Sequence, residues 1–169
     1  MNILLINDFL VVKGGTEISF YKTANLLRKK GHKVFLLGKK NNKESPSTFL
    51  SRWFSLRYFF KTINAIKKNK IELVHINGFT RAISPSPAMA AKLMGIPVVL
   101  TVRDFFLYCP KTWAIFSDGK KCSKSYNLFC PFYNCESAKR GIKHLPYNTI
   151  KFFKGTLHRI VLKNSVDLF

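Results

Sequence analysis

The 169-residue chain reads as an α/β protein built on an open parallel sheet. Three observations predict it: short apolar runs rich in strand formers alternate with stretches of helical periodicity, a glycine pair stands where the first run gives way to the first helix, and a continuous apolar run at Pro97 to Val102 suits a strand covered on both faces. An apolar fraction of 47% supplies a core and excludes a disordered chain. One domain spanning 1–169 is expected from this length.

The first strand is Ile3-Leu4-Leu5-Ile6, broken at Asn7-Asp8, and after Phe9 to Lys13 comes Gly14-Gly15-Thr16-Glu17, where the helical pattern starts. Glycines at a helix entrance leave its amides uncovered, so the pair is either an anion site at the positive end of the helix dipole or a plain tight turn. No third glycine completes a dinucleotide fingerprint, and no Gly-Lys-Ser/Thr phosphate loop occurs. Phe20, Ala24 and Leu27 recur at helical spacing to Lys30, with Gly31 as a left-handed cap, and Lys33 to Gly38 follows as a buried strand. Strand, helix and strand make a right-handed crossover unit. Lys39 to Ser47, with Pro46 at its end, is a polar loop.

Phe49 to Asn69 interleaves aromatic and basic residues, and Leu50, Trp53, Phe54, Leu56, Phe60 and Ile63 can share one face of an amphipathic helix. That helix either lies on an anionic membrane or packs on the core with a solvated basic face. Ile71 to Ile76 is the third strand, ending at His75-Ile76-Asn77-Gly78. Ser84 to Met94 is a helix with Ser86 as N-cap, Pro87 at its first position and Gly95 past its end. Pro97 to Val102, the fourth strand, ends at Arg103-Asp104. Ile150 to Leu162 is a closing helix, and Val166 to Phe169 reads as a strand just begun.

With 29 Lys and Arg against 8 Asp and Glu, the chain carries +21 charges and attracts anions: nucleic acid, acidic lipid or phosphorylated substrates. No signal peptide and no apolar run of membrane-spanning length is present, so a cytoplasmic protein is expected, able to sit peripherally on a membrane's inner face. Ligands of open parallel sheets bind beyond the carboxyl ends of the strands. Asp8, His75, Asn77, Arg103 and Asp104 stand there, with Glu17 beside the glycine turn. Their plain alternative is capping and loop hydrogen bonding. Together they sketch a polar crevice for a phosphorylated or hydroxyl-rich ligand.

Cys109, Cys122, Cys130 and Cys135 fall within an irregular stretch, 105–145. A loop of that length needs pinning, which four thiolates around a structural zinc would supply, although the spacings lack the paired Cys-x-x-Cys of a zinc ribbon. The alternative is buried free thiols or a redox-labile pair.

The order Gly14-Gly15-Thr16-Glu17, Leu73-Val74-His75-Ile76-Asn77, Gly95-Ile96-Pro97-Val98-Val99-Leu100-Thr101-Val102-Arg103-Asp104 and Cys109-Pro110 resembles the amino-terminal domain of family 4 glycosyltransferases. The resemblance implies a Rossmann-like half of the GT-B fold and retaining transfer of a sugar from a nucleotide-sugar donor. It implies that Gly14, Gly15 and Glu17 meet the donor diphosphate, that this half binds the acceptor, and that Arg103 and Asp104 hold catalytic positions. The family commonly has histidine where this chain has Arg103, and a guanidinium holds a phosphate or hydroxyl but does not act as a general base. The carboxy-terminal nucleotide-sugar domain is expected to be missing, leaving a half-enzyme inactive without a partner. The function expected is therefore the acceptor-binding half of an enzyme acting on a polysaccharide or lipid-linked acceptor at the inner membrane face. A non-catalytic subunit recruiting an anionic or polyprenyl-linked acceptor is the alternative, and a nucleic-acid-binding module ranks last because it leaves the strand-end motifs unexplained.

Overall fold

The computed structural model describes residues 1–12, 14–40, 51–80, 82–110, 114–116, 118–124, 126–132 and 145–169. Its elements are β1 (Asn2–Phe9), α1 (Gly15–Lys29), β2 (Lys33–Lys39), α2 (Leu56–Asn69), β3 (Leu73–Ile76), α3 (Ser86–Leu93), β4 (Val98–Leu100) and α4 (Leu145–Ser165). All four strands are parallel, in the order β2-β1-β3-β4. The α/β open parallel sheet expected from the alternation of runs is thus the fold.

Residues cluster into two compact units, Met1–Val102 with Val161–Phe169, and Arg103–Ile160. In the first, Leu4, Leu5, Ile6, Val74, Ile76, Val98 and Leu100 are almost wholly buried along the middle of the sheet. Phe20 and Ala24 of α1 pack on Leu5, flanked by Val34 and Leu36 of β2, which is the apolar face predicted for that helix. Gly31 ends α1 with φ 84°, and Gly95 stands past α3 with φ 69°, a conformation that costs glycine little.

The register of β1 against β2 slips after Ile6, which faces Leu37, so that Phe9 faces Lys39. Asn7 and Asp8 therefore oppose Gly38 alone, a bulge at the carboxyl end of the central strand. A Cβ on Gly38 would lie 2.5 Å from the Asn7 carbonyl oxygen and 2.9 Å from the Leu10 side chain. Glycine is required there by close approach.

Several boundaries differ from those expected. The helix foreseen from Phe49 starts at Leu56, because Ser55 caps it by accepting from the Tyr58 amide (3.4 Å). Leu50 and the loop from 41 to Ser47, Pro46 included, lie outside the described residues. The buried face of α2 is Tyr58, Thr62 and Ile66, spaced four apart, while Leu56 and Phe60 of the foreseen apolar face are exposed. Helix α2 packs against α3, as a core helix does.

Ser86 is the first residue of α3 and not its cap; Pro85 holds that place without a side-chain bond. The Ser86 hydroxyl instead donates to the Ser55 carbonyl (2.9 Å), and the Ser55 amide donates to Ser84 Oγ (3.0 Å). This buried serine cluster joins the starts of α2 and α3. After α4 the chain lies along β4 through one parallel bridge, Val99 to Leu168, where a strand was foreseen. Asp167 fastens it, its carboxylate accepting from the Val98 amide (2.9 Å) and pairing with Lys92 (2.7 Å).

In the second unit, residues 114–116 pair antiparallel with 120–122, with Phe116 N donating to Lys120 O (2.9 Å) and Cys122 N to Ala114 O (2.7 Å). Tyr126 leans on α4: its hydroxyl donates to the Phe152 carbonyl (3.3 Å), Thr156 Oγ1 donates to it (3.4 Å), and the Arg159 guanidinium lies 4.9 Å from its ring centroid. A Cβ on Gly155 would come within 2.5 Å of that hydroxyl. Burial, reinforced by Cys130 and Cys109 and opposed by the Thr156 bond and Arg159, pushes the Tyr126 phenol up to about 12. No helix among the described residues is long and apolar enough to cross a membrane.

Candidate functional site

The strand order fixes where a ligand belongs. The crossover from β1 leads to β2 on one side, and the next connection returns to β3 on the other, so β1 and β3 flank a topological switch point. The connections that leave their carboxyl ends run to opposite sides, and this is where open α/β sheets bind ligands.

Asn7 and Asn77 tie that point together. Both are buried, and Asn77 Nδ2 donates to Asn7 Oδ1 (3.0 Å) and at longer range to the Thr16 carbonyl in the first turn of α1 (3.5 Å). The Asn77 amide donates to Ile6 O (2.8 Å), and Asn7 Nδ2 donates to Phe9 O (2.8 Å). Gly78 follows because a Cβ there would stand 2.8 Å from Asn7 Oδ1. The ends of β1 and β3 and the start of α1 are thereby held as one piece.

The glycine turn sits on this piece. Glu17 is buried and its Oε2 accepts from the Gly14 amide (3.0 Å), closing the helix start from within, while the Gly14 carbonyl accepts from Ile18 N (3.1 Å). Gly14 has an extended backbone, which any residue adopts, and a Cβ on Gly15 would meet nothing within 4 Å. Neither glycine is demanded by the chain's own geometry. What the pair provides is an uncovered helix N-terminus, with partial positive charge from the first-turn amides.

Asp8 is buried and its Oδ1 accepts from two amides, Ala82 (2.7 Å) and Ile83 (3.0 Å), bracing the loop that leads into α3. Its charge also helps raise the pKa of Tyr58, where burial is the larger cause and Arg57 acts the opposite way. His75 Nε2 lies 2.8 Å from Thr101 Oγ1, joining β3 to the end of β4. Beside Tyr58, Lys61 places its ammonium 5.4 Å from that ring centroid, and its pKa is lowered by burial first and then by repulsion from Arg57 and Lys40. Lys40 follows β2, and Arg57 and Lys61 stand early in α2, so this group of cations belongs to the same sheet edge.

Of the residues expected at the site, Gly14, Gly15, Glu17, Asp8, His75 and Asn77 stand in the first unit and Arg103 and Asp104 in the second. Both are exposed, and Asp104 Oδ1 accepts from the Phe106 amide (3.0 Å). Cys109 and Cys130 are buried, Cys122 is half-buried and donates to the Lys124 carbonyl (3.2 Å), and Cys135 lies outside the described residues. Among the described residues no three metal-ligating side chains converge. Asn7, Gly78 and Gly38 were missed by sequence reading, since their importance arises from partners far along the chain; the Asn77-Gly78 pair after a strand was the one available signal.

No curated protein and no solved structure shows significant similarity to the chain. The family model described as Glycosyltransferase Family 4 matches residues 13–134, from the approach to the glycine turn through β4 and into the cysteine-bearing segment. That match covers well over half the chain and meets a fold with a switch-point crevice, so the chain belongs to Glycosyltransferase Family 4.

Proposed function

We propose that residues 1–169 are the acceptor-binding half of a retaining glycosyltransferase, which moves a sugar from a nucleotide-sugar to a polysaccharide or glycolipid acceptor at the inner face of a membrane. The observation that carries this reading is the uncovered Gly14-Gly15 helix start, braced by Asn77 and Glu17 at the β1/β3 switch point. Its amides and helix dipole suit a diphosphate. A carboxy-terminal half, in the same polypeptide or another, supplies the remaining nucleotide contacts and closes the cleft against water. Arg103 steadies phosphate or a sugar hydroxyl, and Asp104 orients the site. Lys40, Arg57 and Lys61 favour an anionic acceptor.

Arg103, where the family commonly carries histidine, also favours a second reading: a subunit that binds the acceptor and leaves turnover to another chain. Both are tested by nuclear magnetic resonance titration of the chain with a nucleoside diphosphate, then by turnover of a nucleotide-sugar panel in the presence of a carboxy-terminal half. Shifted Gly15 and Thr16 amides, abolished by Gly15→Glu, support the diphosphate site. Undisturbed amides together with absent turnover refute the enzyme reading, and turnover lost in Arg103→Ala refutes the passive subunit.

A further inference from the structure

We propose that the turn Asn127–Phe132 is a membrane-insertion tip, which seats the second unit in the headgroup layer of an anionic bilayer. The turn is held by hydrogen bonds within itself. Asn127 Oδ1 accepts from the Phe129 amide (2.9 Å), Asn127 O accepts from Cys130 N (3.1 Å), and Phe129 O accepts from Phe132 N (2.9 Å). Cys130 and Pro131 point inward and are buried. That fixed geometry turns Leu128, Phe129 and Phe132 outward, with 78%, 66% and 68% of their surfaces exposed.

Single exposed apolar residues are ordinary on a protein surface, but three large ones within five positions, on a turn whose inward places are filled by a cysteine and a proline, form an apolar point. The charge around it selects the occupant. Lys120, Lys121 and Lys124 precede the turn and are exposed, and between Arg103 and Ile160 eleven Lys and Arg stand against three Asp and Glu. Lys120 pairs with Asp118 (3.3 Å), and the excess of cations in this unit matches an acidic lipid surface, where the apolar side chains enter the acyl boundary and ammonium groups meet phosphates. This inference does not depend on the glycosyltransferase reading.

The test is co-sedimentation of the full chain with vesicles of equal phosphatidylglycerol and phosphatidylcholine, and with phosphatidylcholine alone. Binding is expected to the anionic vesicles only. The triple variant Leu128→Ser, Phe129→Ser, Phe132→Ser should bind them at least about tenfold more weakly, with an unchanged melting temperature because the three side chains are exposed. As a local readout, Phe129→Trp should add fluorescence that is quenched by lipids brominated in their acyl chains. Failure of the parent to bind, or equal binding by the triple variant, overturns the proposal. So does a concentration-dependent self-association that the triple variant abolishes, since the tip would then be covered by a second copy.

Discussion

Asn77→Asp removes both N–H donations of the side-chain amide and keeps its shape. The Asn77 amide nitrogen donates to Asn7 Oδ1 at 3.0 Å and to the Thr16 carbonyl at 3.5 Å, and Asn77 is only 2% exposed. An ionised carboxylate would face those two acceptors with nothing to donate. Leaving a buried polar group unsatisfied costs about 1–3 kcal/mol, and a charged one more, so a loss of roughly 3 kcal/mol is expected at pH 7. For a chain of this size that corresponds to about 6–12 °C in melting temperature. The introduced carboxyl has its folded pKa raised above the unfolded value by burial and by the opposing acceptors. Its protonated form is therefore the stable one. Stability is retained below the unfolded carboxyl range and is lost as pH rises through the folded pKa, so the deficit should shrink towards pH 4.5, where the protonated group can donate to Asn7 Oδ1. Asn77→Ala should lose stability without that recovery. Urea unfolding followed by circular dichroism from pH 4.5 to 7.5 reads both variants against the parent. A pH-independent difference for Asn77→Asp, or none at all, would refute the reasoning that this amide holds β1, β3 and α1 together.

Gly38→Ala should destabilise by about 1–3 kcal/mol through overpacking, because its Cβ would press on the backbone oxygen of Asn7; an unchanged urea midpoint would show that the bulge relaxes freely. Titration of Tyr126, followed by phenolate absorbance against Tyr126→Phe, should occur near pH 12, where an ordinary tyrosine titrates at 10.0. Since the neutral phenol is the folded form's preferred state, its stabilisation is complete below pH 10.0 and fades as pH rises towards about 12; screening at this partly exposed group limits it to about 1 kcal/mol. Asp167→Asn should release the chain end from β4, seen as faster amide exchange at Leu100, whose N–H donates to Leu168 O (2.9 Å). The Lys92 bond holds the Asp167 carboxyl below its usual pKa, with the Val98 amide second, so in the parent the protection of Leu100 N–H, taken relative to its intrinsic exchange rate at each pH, should fall as acid protonates Asp167.

Local order was legible in the sequence because its causes are local. Phe20 and Ala24 lie one helical turn apart and do pack on β1, and Gly31 and Gly95 do adopt positive φ. Asn7 was read only as the place where a strand breaks; its bond to Asn77 spans 70 positions, and nothing near Asn7 announces it. Gly38 looked like a strand's end, whereas it is the residue that a bulge in the neighbouring strand requires. The apolar face of α2 was misjudged for a related reason. Leu56 and Phe60 are more hydrophobic than Tyr58 and Thr62, but the helix turns Tyr58, Thr62 and Ile66 inward, and Ser55 and Ser86 fix its start against α3. Hydrophobicity ranks residues; long-range hydrogen bonds decide which face they take.

The acidic residues expected to work at the site share one structural trait. Asp8 accepts from the amides of Ala82 and Ile83, Glu17 from that of Gly14, and Asp104 from that of Phe106. Each carboxylate holds backbone in place. Groups so engaged shape a site by holding the loop or helix start that the carboxylate supports. What the first unit presents to a ligand is then made of fixed backbone dipoles at Gly14-Gly15 and cations on α2, with His75 hydrogen-bonded to Thr101. Such an arrangement would act by position and electrostatics, the contributions that the proposed nucleotide-sugar donor would draw on. It follows that Asp8→Asn and Glu17→Gln, which keep an acceptor oxygen, should alter stability more than any turnover measured with a carboxy-terminal half, while Gly15→Glu should do the reverse. A turnover loss of a hundredfold in Asp8→Asn at unchanged stability would instead make that carboxylate a reagent.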